Sequence, residues 1–502
     1  MKRDFLFKVL TNLIRVPVTF LLQAIFPRLL GPSNYGNYEF LTNLSNRIVI
    51  FFETGTSTAF YTMLSKKNND MLLVRLYWWF GFLVTVIYIV FVSALVFIGF
   101  ANKIWIGQSK LDIYLSVIWG IIIFYNSIGI KYIDAIRLTK RGEIIKSIQL
   151  LISLLVFGLV FYLFDMINIS VFFIIQITLQ IMLLVGFKIV LNYNGFKLIP
   201  KIKLDKENIL PYIKNFWDYS NPLILLSILV LLGSVGQRWI LQRYAGSIQQ
   251  GYFGVSFKIG AFIFLFTSSI IPLLTREFST LHSKKDLTTI SEVFLISFKS
   301  FYFIAAIIGV FISFHSSFIL SLFAGNEYNK AVGIITVMAF YPIHQTLGQL
   351  NGTLFYSTNR TSQYRNIGII FVPISLILSY ILITPRENMG LGFGLGALGL
   401  AYQMVFLQVV SVNTFLYFNS IYLKINYIKL LIYQVITLIV IVTISYINNY
   451  IIQQLISNNY LETFIEFLLF IVITFVLGYR VTYFTGVSRD KVNKIIFSIF
   501  LK

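Results

Sequence analysis

Arg28-Leu-Leu-Gly31-Pro-Ser-Asn-Tyr-Gly36-Asn-Tyr38 lies between two long apolar runs, and its pattern returns at Arg243-Tyr-Ala-Gly246-Ser-Ile-Gln-Gln-Gly251-Tyr-Phe253. Both read R-x-x-G-x4-G-x-aromatic, 215 residues apart. Each follows the first apolar run of its half of the chain. Two such points separated by an even number of membrane crossings share one orientation, so the echo predicts a parallel internal repeat. Chance recurrence of glycine in membrane loops is the plain alternative.

The runs around these motifs set the fold class. Of the 502 residues, 57% are hydrophobic and 12% charged, about half the charge of an ordinary soluble domain. So few charges leave no means of covering a water-facing surface. The chain reads as an all-α polytopic membrane protein with about 14 transmembrane helices. They fall near 5–29, 36–63, 71–100, 111–136, 144–164, 169–192, 212–241, 250–275, 289–323, 331–357, 363–384, 395–422, 427–448 and 461–484. The first run carries Arg15 and Pro17 and lacks a small-residue cleavage site, which predicts a retained helix rather than a signal peptide. With no cysteine, thiol chemistry, disulfides and iron–sulfur sites are excluded. Only His282, His315 and His344 are present, too few for a histidine-rich metal site, and no cofactor is expected.

The net charge of +21 would suggest nucleic acid in a soluble protein. Here the membrane accounts for it, because cytoplasmic loops collect Lys and Arg. With the N-terminus inside, 29 of the 40 basic residues fall in cytoplasmic segments and seven in outer ones. One missed or invented helix would reverse that bias downstream, and no reversal occurs. The expectation is a multi-pass protein of the bacterial inner (plasma) membrane with both termini cytoplasmic, not bound to nucleic acid. The longest cytoplasmic connection contains Pro200 and Pro211 and divides six helices from eight. This predicts an N-lobe of helices 1–6 over 1–195, a linker over 196–211, a C-lobe of helices 7–12 over 212–422, and two peripheral helices with a cytoplasmic tail over 423–502.

Arg15, Arg47, Lys258 and Lys299 are the basic residues left inside the spans. An ionised side chain in the hydrocarbon core costs at least about 2.5–3.5 kcal/mol, so each needs a polar surrounding. Thr11, Arg15, Thr19 and Gln23 are spaced by four, which stacks them on one helix face. Glu39, Asn43 and Arg47 do the same in the second helix, with Thr54 further along. Such stripes face a cavity or another helix. Glu39 and Glu53 are candidates for ion coupling or for salt bridges to Arg15 or Arg47. Lys258 and Lys299 stand near enough to helix ends to snorkel. The tenth helix is polar at its centre, with Pro342, His344, Gln345, Gln349 and Asn351, and its amides suit a cavity wall. His344 reads equally as a packing residue. Pro17, Pro222 and Pro342 are candidate hinges or simple packing kinks. The excess of positive groups suits an anionic head group such as a phosphate or diphosphate, and arginine's planar fork fits phosphate oxygens best.

Phe26-Pro-Arg-Leu-Leu-Gly-Pro-Ser-Asn-Tyr-Gly-Asn-Tyr38 resembles the first-loop signature of the bacterial polysaccharide-biosynthesis flippases. These are the Wzx-type O-antigen and capsule translocases of the multidrug/oligosaccharidyl-lipid/polysaccharide (MOP) superfamily. The stretch Pro200…Pro211…Asn221-Pro222 is similar to that family's linker and seventh-helix entry, and the helix pattern matches along the whole chain. The resemblance implies two six-helix lobes around a V-shaped cavity plus two C-terminal helices. It implies a transporter, not an enzyme, that moves an undecaprenyl-diphosphate-linked oligosaccharide to the outer leaflet by alternating access. Related lipid flippases carry cavity-lining basic residues in helices one, two and eight, which implies that Arg15, Arg47 and Lys258 bind the diphosphate. Membrane lipids, a polysaccharide polymerase and chain-length machinery are the partners it implies for O-antigen (lipopolysaccharide) or capsule assembly.

Two other classes remain open at this point. An ion-coupled multidrug or small-solute antiporter of the same superfamily needs buried carboxylates, for which Glu53 and Asp134 are the candidates. A membrane polysaccharide polymerase needs a large outer loop with acid–base residues, and the connections around Lys103–Lys110 and Asn449–Tyr460 lack them.

Overall fold

The computed structural model describes residues 2–67, 70–202, 206–388, 392–455 and 459–486. Among them there is no strand. The helices are α1 (Lys2–Glu53), α2 (Thr56–Lys66), α3 (Met71–Phe97), α4 (Ala101–Ile104), α5 (Lys110–Ala135), α6 (Thr139–Leu163), α7 (Ile169–Tyr193), α8 (Lys206–Ala261), α9 (Phe264–Ser283), α10 (Leu287–Phe314), α11 (Ser316–Ala324), α12 (Val332–Met338), α13 (Tyr341–Ser357), α14 (Thr361–Ile383), α15 (Gly396–Leu423), α16 (Tyr427–Leu455), α17 (Asn459–Arg480) and α18 (Thr482–Thr485). The apolar runs read from the sequence lie mostly in helix, but 5–29 shares α1 with the start of 36–63, and 212–241 shares α8 with the start of 250–275. Among the described residues nine helices are long and apolar enough to cross a membrane, and the α12–α13 pair, bent by 43°, adds a tenth.

The longest helices, α1 and α8, contain the echo. Each continues past the length of one span and breaks once, at Gly31 (φ 65°, ψ 169°) and at Gly246 (φ 81°, ψ 179°). Only glycine reaches that backbone region without a Cβ penalty. The first glycine of each motif is therefore the corner between two helical segments. The backbone stays helical through Pro17 and Pro222, so the breaks in α1 and α8 lie at glycines rather than at those prolines. Pro342 is different: it occupies the first turn of α13, beside the bend from α12.

The chain divides by contact into two compact units, Met1–Gly251 and Tyr252–Lys502. The first part of α8, up to Gly251, is thus packed within the first unit. Its contacts explain this. A Cβ on Gly36 would meet the Ser247 carbonyl, and one on Gly251 would meet the Pro32 carbonyl. At the other end, a Cβ on Gly55 would come within 2.7 Å of Ser220 Cα. Small residues at both ends let α8 lie antiparallel along the second segment of α1. Lipid tails are as apolar as leucine, so close backbone approach and van der Waals packing, not burial from water, hold such helices together. The unit's interior is aromatic, with Phe26 4.8 Å from Phe157 and Tyr38 4.8 Å from Phe172. In the second unit Tyr302 and Tyr433 pack edge to face at 6.2 Å between α10 and α16. His315 and Glu466, both buried, approach to 3.3 Å and tie the end of α10 to α17.

Candidate functional site

In the first unit, Glu39, Asn43 and Arg47 occupy one face of the second segment of α1, as their spacing predicts. That face meets α8, and α8 brings Arg238. The Arg238 guanidinium lies within electrostatic range of Glu39, Arg47 and Tyr35. It donates from Nη1 to Gln250 Oε1 at 3.3 Å, and Gln250, fully buried, donates back to the Arg238 carbonyl at 3.1 Å. Arg238 thus stands between the attraction of the buried Glu39 carboxylate and the repulsion of a second guanidinium, Arg47. Asn43 Oδ1 is buried close by with no hydrogen-bond partner among the described residues. By the positive-inside pattern, Arg238 is one of the seven basic residues expected on the outer side. The available signal was the four-residue spacing of Arg238 and Gln242, which continues a polar stripe up α8.

Next to this cluster Asn37 Oδ1 accepts from Ser247 Oγ (2.6 Å), Gln108 Nε2 (2.7 Å) and, more weakly, Gln242 Nε2 (3.4 Å). Gln242 also donates to the Ile106 carbonyl at 3.2 Å. One amide oxygen therefore joins both echo motifs to the turn before α5.

Arg15 has a different setting. Its Nη1 lies 2.5 Å from Glu143 Oε2, and Lys146 reaches the other oxygen at 2.8 Å. Glu143 is almost wholly buried, whereas the Arg15 side chain is 25% exposed. Glu143 lies in the first turns of α6, so Arg15 stands level with the start of that helix. With about 1.5 Å rise per residue, it is roughly 24 Å from the corner at Gly31, near one end of a span rather than midway. The ion pair foreseen for Arg15 with Glu39 or Glu53 is made instead with Glu143, 128 residues away. Glu53 takes a hydrogen bond from Ser127 with the Lys131 charge beside it. Thr11 and Thr19 are partly buried on the Arg15 stripe, and Gln23 Oε1 is a buried acceptor without a partner among the described residues. Pro17 is exposed. The Pro222 side chain lies outside those described.

In the second unit the polar residues of α13 separate by face. Gln345 and Gln349, four apart, line a cleft of about 610 Å³ with Gln408, Ser411, Thr353 and Tyr364. Gln408 donates to Gln345 Oε1. Gly348 stands between the two glutamines, where a Cβ would crowd Gln345 and Gln408 at 3.1 and 3.2 Å. Gln349 Oε1 has no hydrogen-bond partner among the described residues. Asn351 does not line this cleft. It is fully buried and accepts from Asn419 Nδ2 at 2.8 Å, while Asn419 accepts from Arg360. Arg360 stacks on Tyr422 at 3.9 Å, and its burial pulls the guanidinium down to about 10, still charged at neutral pH. His344 lies away from the cleft against Tyr302, 5.7 Å between ring centroids, with Nδ1 buried and unpaired among the described residues. Lys258 is partly buried in the last turn of α8. Pro342 is buried, and a Cβ on Gly260 would touch its ring at 3.3 Å. Among the described residues no group of His, Asp and Glu is arranged to hold a metal.

No protein-family model matches the sequence. It is 21% identical over 428 residues to the capsular polysaccharide biosynthesis protein CapF of Staphylococcus aureus, a match spanning 83% of this chain and 99% of that protein. Among solved structures it is similar to the lipid II flippase MurJ in an inward closed conformation, with TM-score 0.66 and 14% identity over 95% of this chain and 98% of the other. An inward-facing multidrug resistance MATE family transporter of the MOP superfamily gives TM-score 0.64 and 10% identity over 83% and 98%. This chain is a multi-pass membrane protein that shares the fold of that transporter and of MurJ. At the level of sequence its relative acts in polysaccharide biosynthesis, which agrees with the resemblance carried by Phe26–Tyr38.

Proposed function

We propose that this protein is a flippase that moves an undecaprenyl-diphosphate-linked oligosaccharide, an O-antigen or capsule repeat unit, from the cytoplasmic to the outer leaflet of the bacterial inner membrane by alternating access. Both termini are cytoplasmic in this reading. The observation that carries it is the approach of two guanidinium groups, Arg47 of α1 and Arg238 of α8, within electrostatic range of each other inside apolar helices, with Glu39 also in range of Arg238. Charged groups are expensive in a membrane and mark functional positions, and two guanidinium groups side by side suit an anion that takes fork-like hydrogen bonds, as a diphosphate does. The sugars would meet neutral amides such as Gln345 and Gln349. Arg15, close to the cytoplasmic end of its helix, and Lys258 would offer further cationic contacts. The name of the capsular relative and the flippase fold support the same assignment.

The test is export in cells. Deleting the gene should accumulate lipid-linked repeat units on the cytoplasmic side and remove surface polysaccharide. Restoring it with Arg47→Ala and Arg238→Ala should fail while the protein level in the membrane is unchanged. Full surface polymer in that double variant would sink the binding assignment. The antiporter reading draws on Glu53 as a coupling carboxylate, but the Ser127 hydrogen bond and the Lys131 charge give that residue a local structural use. Drug resistance conferred by overproduction, lost in Glu53→Gln, would favour it.

A further inference from the structure

Lys299 stands three turns into α10, where the sequence suggests a snorkelling side chain. Instead its ammonium lies 5.6 Å from the Tyr433 ring centroid and 5.2 Å from that of Tyr483. Lys429, one turn into α16, lines the same cleft, which has a volume of about 670 Å³. The walls are apolar, formed by Leu295 and Ile296 of α10 and by Leu430 and Ile432 of α16, with Glu292 and Asn426 also lining it. Neither lysine pairs with a carboxylate among the described residues. The aromatic side of the cleft is fixed: Tyr433 OH donates to the carbonyls of Lys299 (2.9 Å) and Phe484 (2.6 Å), and Ser300 Oγ donates to the Thr485 carbonyl at 2.8 Å. These bonds hold α18 against α10. Outside the cleft, α16 presents bare apolar side chains, with Ile428 64% and Val435 57% exposed.

We propose that this cleft binds the phosphate head group of an anionic glycerophospholipid, with Lys299 and Lys429 taking the phosphate oxygens and one acyl chain lying along the exposed face of α16. The two ammonium groups need an anion, since each unpaired charge near hydrocarbon is costly and a phosphate accepts several charge-assisted bonds at once. The apolar wall running from the cationic end to the lipid-facing surface of α16 selects an amphiphile over a free ion. The site is separate from the Arg47–Arg238 cluster and does not depend on the transported substrate. Its occupant would bridge α10, α16 and α18, fastening the C-terminal helices to the rest of the second unit.

The full-length protein, purified in detergent, would be titrated with short-chain phosphatidylglycerol, short-chain phosphatidylcholine and glycerol phosphate, reading the melting temperature. Phosphatidylglycerol should raise it saturably, phosphatidylcholine much less, and glycerol phosphate only at far higher concentration. Lys299→Gln with Lys429→Gln should weaken the phosphatidylglycerol effect at least about tenfold, in line with loss of charge-assisted hydrogen bonds. Lys110→Gln, in the other unit, should leave it unchanged. Glu292→Gln should strengthen it by removing a repelling carboxylate, and this variant keeps the test informative if the double variant folds poorly. Equal stabilisation by both lipids, or an unchanged response to phosphatidylglycerol in the lysine and Glu292 variants, would overturn the proposal. A response to glycerol phosphate as strong as that to the lipid would assign the cleft to soluble phosphate esters and overturn the lipid assignment.

Discussion

The main polar sites of the two units are built from opposite chemistry. In the first, charge meets charge: Arg238 between Glu39 and Arg47, and Arg15 with Lys146 around Glu143. In the second, the α13 cleft is lined by neutral amides and hydroxyls. Ionised groups bind strongly and at long range, so they suit an anchor common to every substrate. Amides bind weakly and directionally, so they suit a group that varies, such as a sugar. An echo in sequence has therefore not preserved an echo in chemistry.

The largest expected effect is on the charged side. Arg47→Ala with Arg238→Ala should abolish export, measured as surface polysaccharide, while Gln345→Ala with Gln349→Ala should reduce it several-fold and alter which repeat units are accepted. Equal losses from both pairs would erase the contrast. Next in size is Gly36→Val, which drives a side chain into the Ser247 carbonyl. Overpacking of this kind costs about 1–3 kcal/mol or more and should show as a lower melting temperature of the purified protein. Gly333→Ala, with open space around it, is the matched control. Third, Arg15→Ala removes one of two cations from buried Glu143. Because Lys146 remains and Arg15 is partly solvated, about 1–2 kcal/mol is expected, below the roughly 3–5 kcal/mol for a buried pair broken outright, and Glu143→Gln should recover part of it. Smallest is Asp286, whose carboxylate caps α10 through the Thr289 amide at 3.0 Å. Hydrogen bonds from Thr289 and Thr288 lower its pKa to about 2. A depressed folded value stabilises above the unfolded value near 3.8, and the contribution fades as pH falls through about 2. The melting temperature of the wild type should drop across that window more than that of Asp286→Asn.

Much of the fold was legible because membranes restrict the choices. Apolar runs had to be helices, and the glycines of the Arg-Gly echo turned out to be the two helix breaks, Gly31 and Gly246. Spacing by four correctly placed Glu39, Asn43 and Arg47 on one face of their helix. It could not say what that face meets, because the partner, Arg238, comes from a helix two hundred residues on. The same limit hid Glu143 behind Arg15. For α13, spacing put Gln345 and Gln349 together but could not separate them from Asn351, whose enclosure depends on Asn419 and Arg360 from later elements. In α1 and α8 the non-helical backbone falls at Gly31 and Gly246, while the helix runs on through Pro17 and Pro222.

Gly36 and Gly251 are the second glycines of two copies of one motif, and each rests against the chain of the other copy. A position that touches its own counterpart is under a double constraint. Neither site can drift to a larger residue without a compensating change opposite, and the opposite site is the same glycine. In a single gene that grew by doubling, this is where the memory of the original pair of identical chains would be erased last. Across a set of related sequences the two positions should therefore change together or not at all.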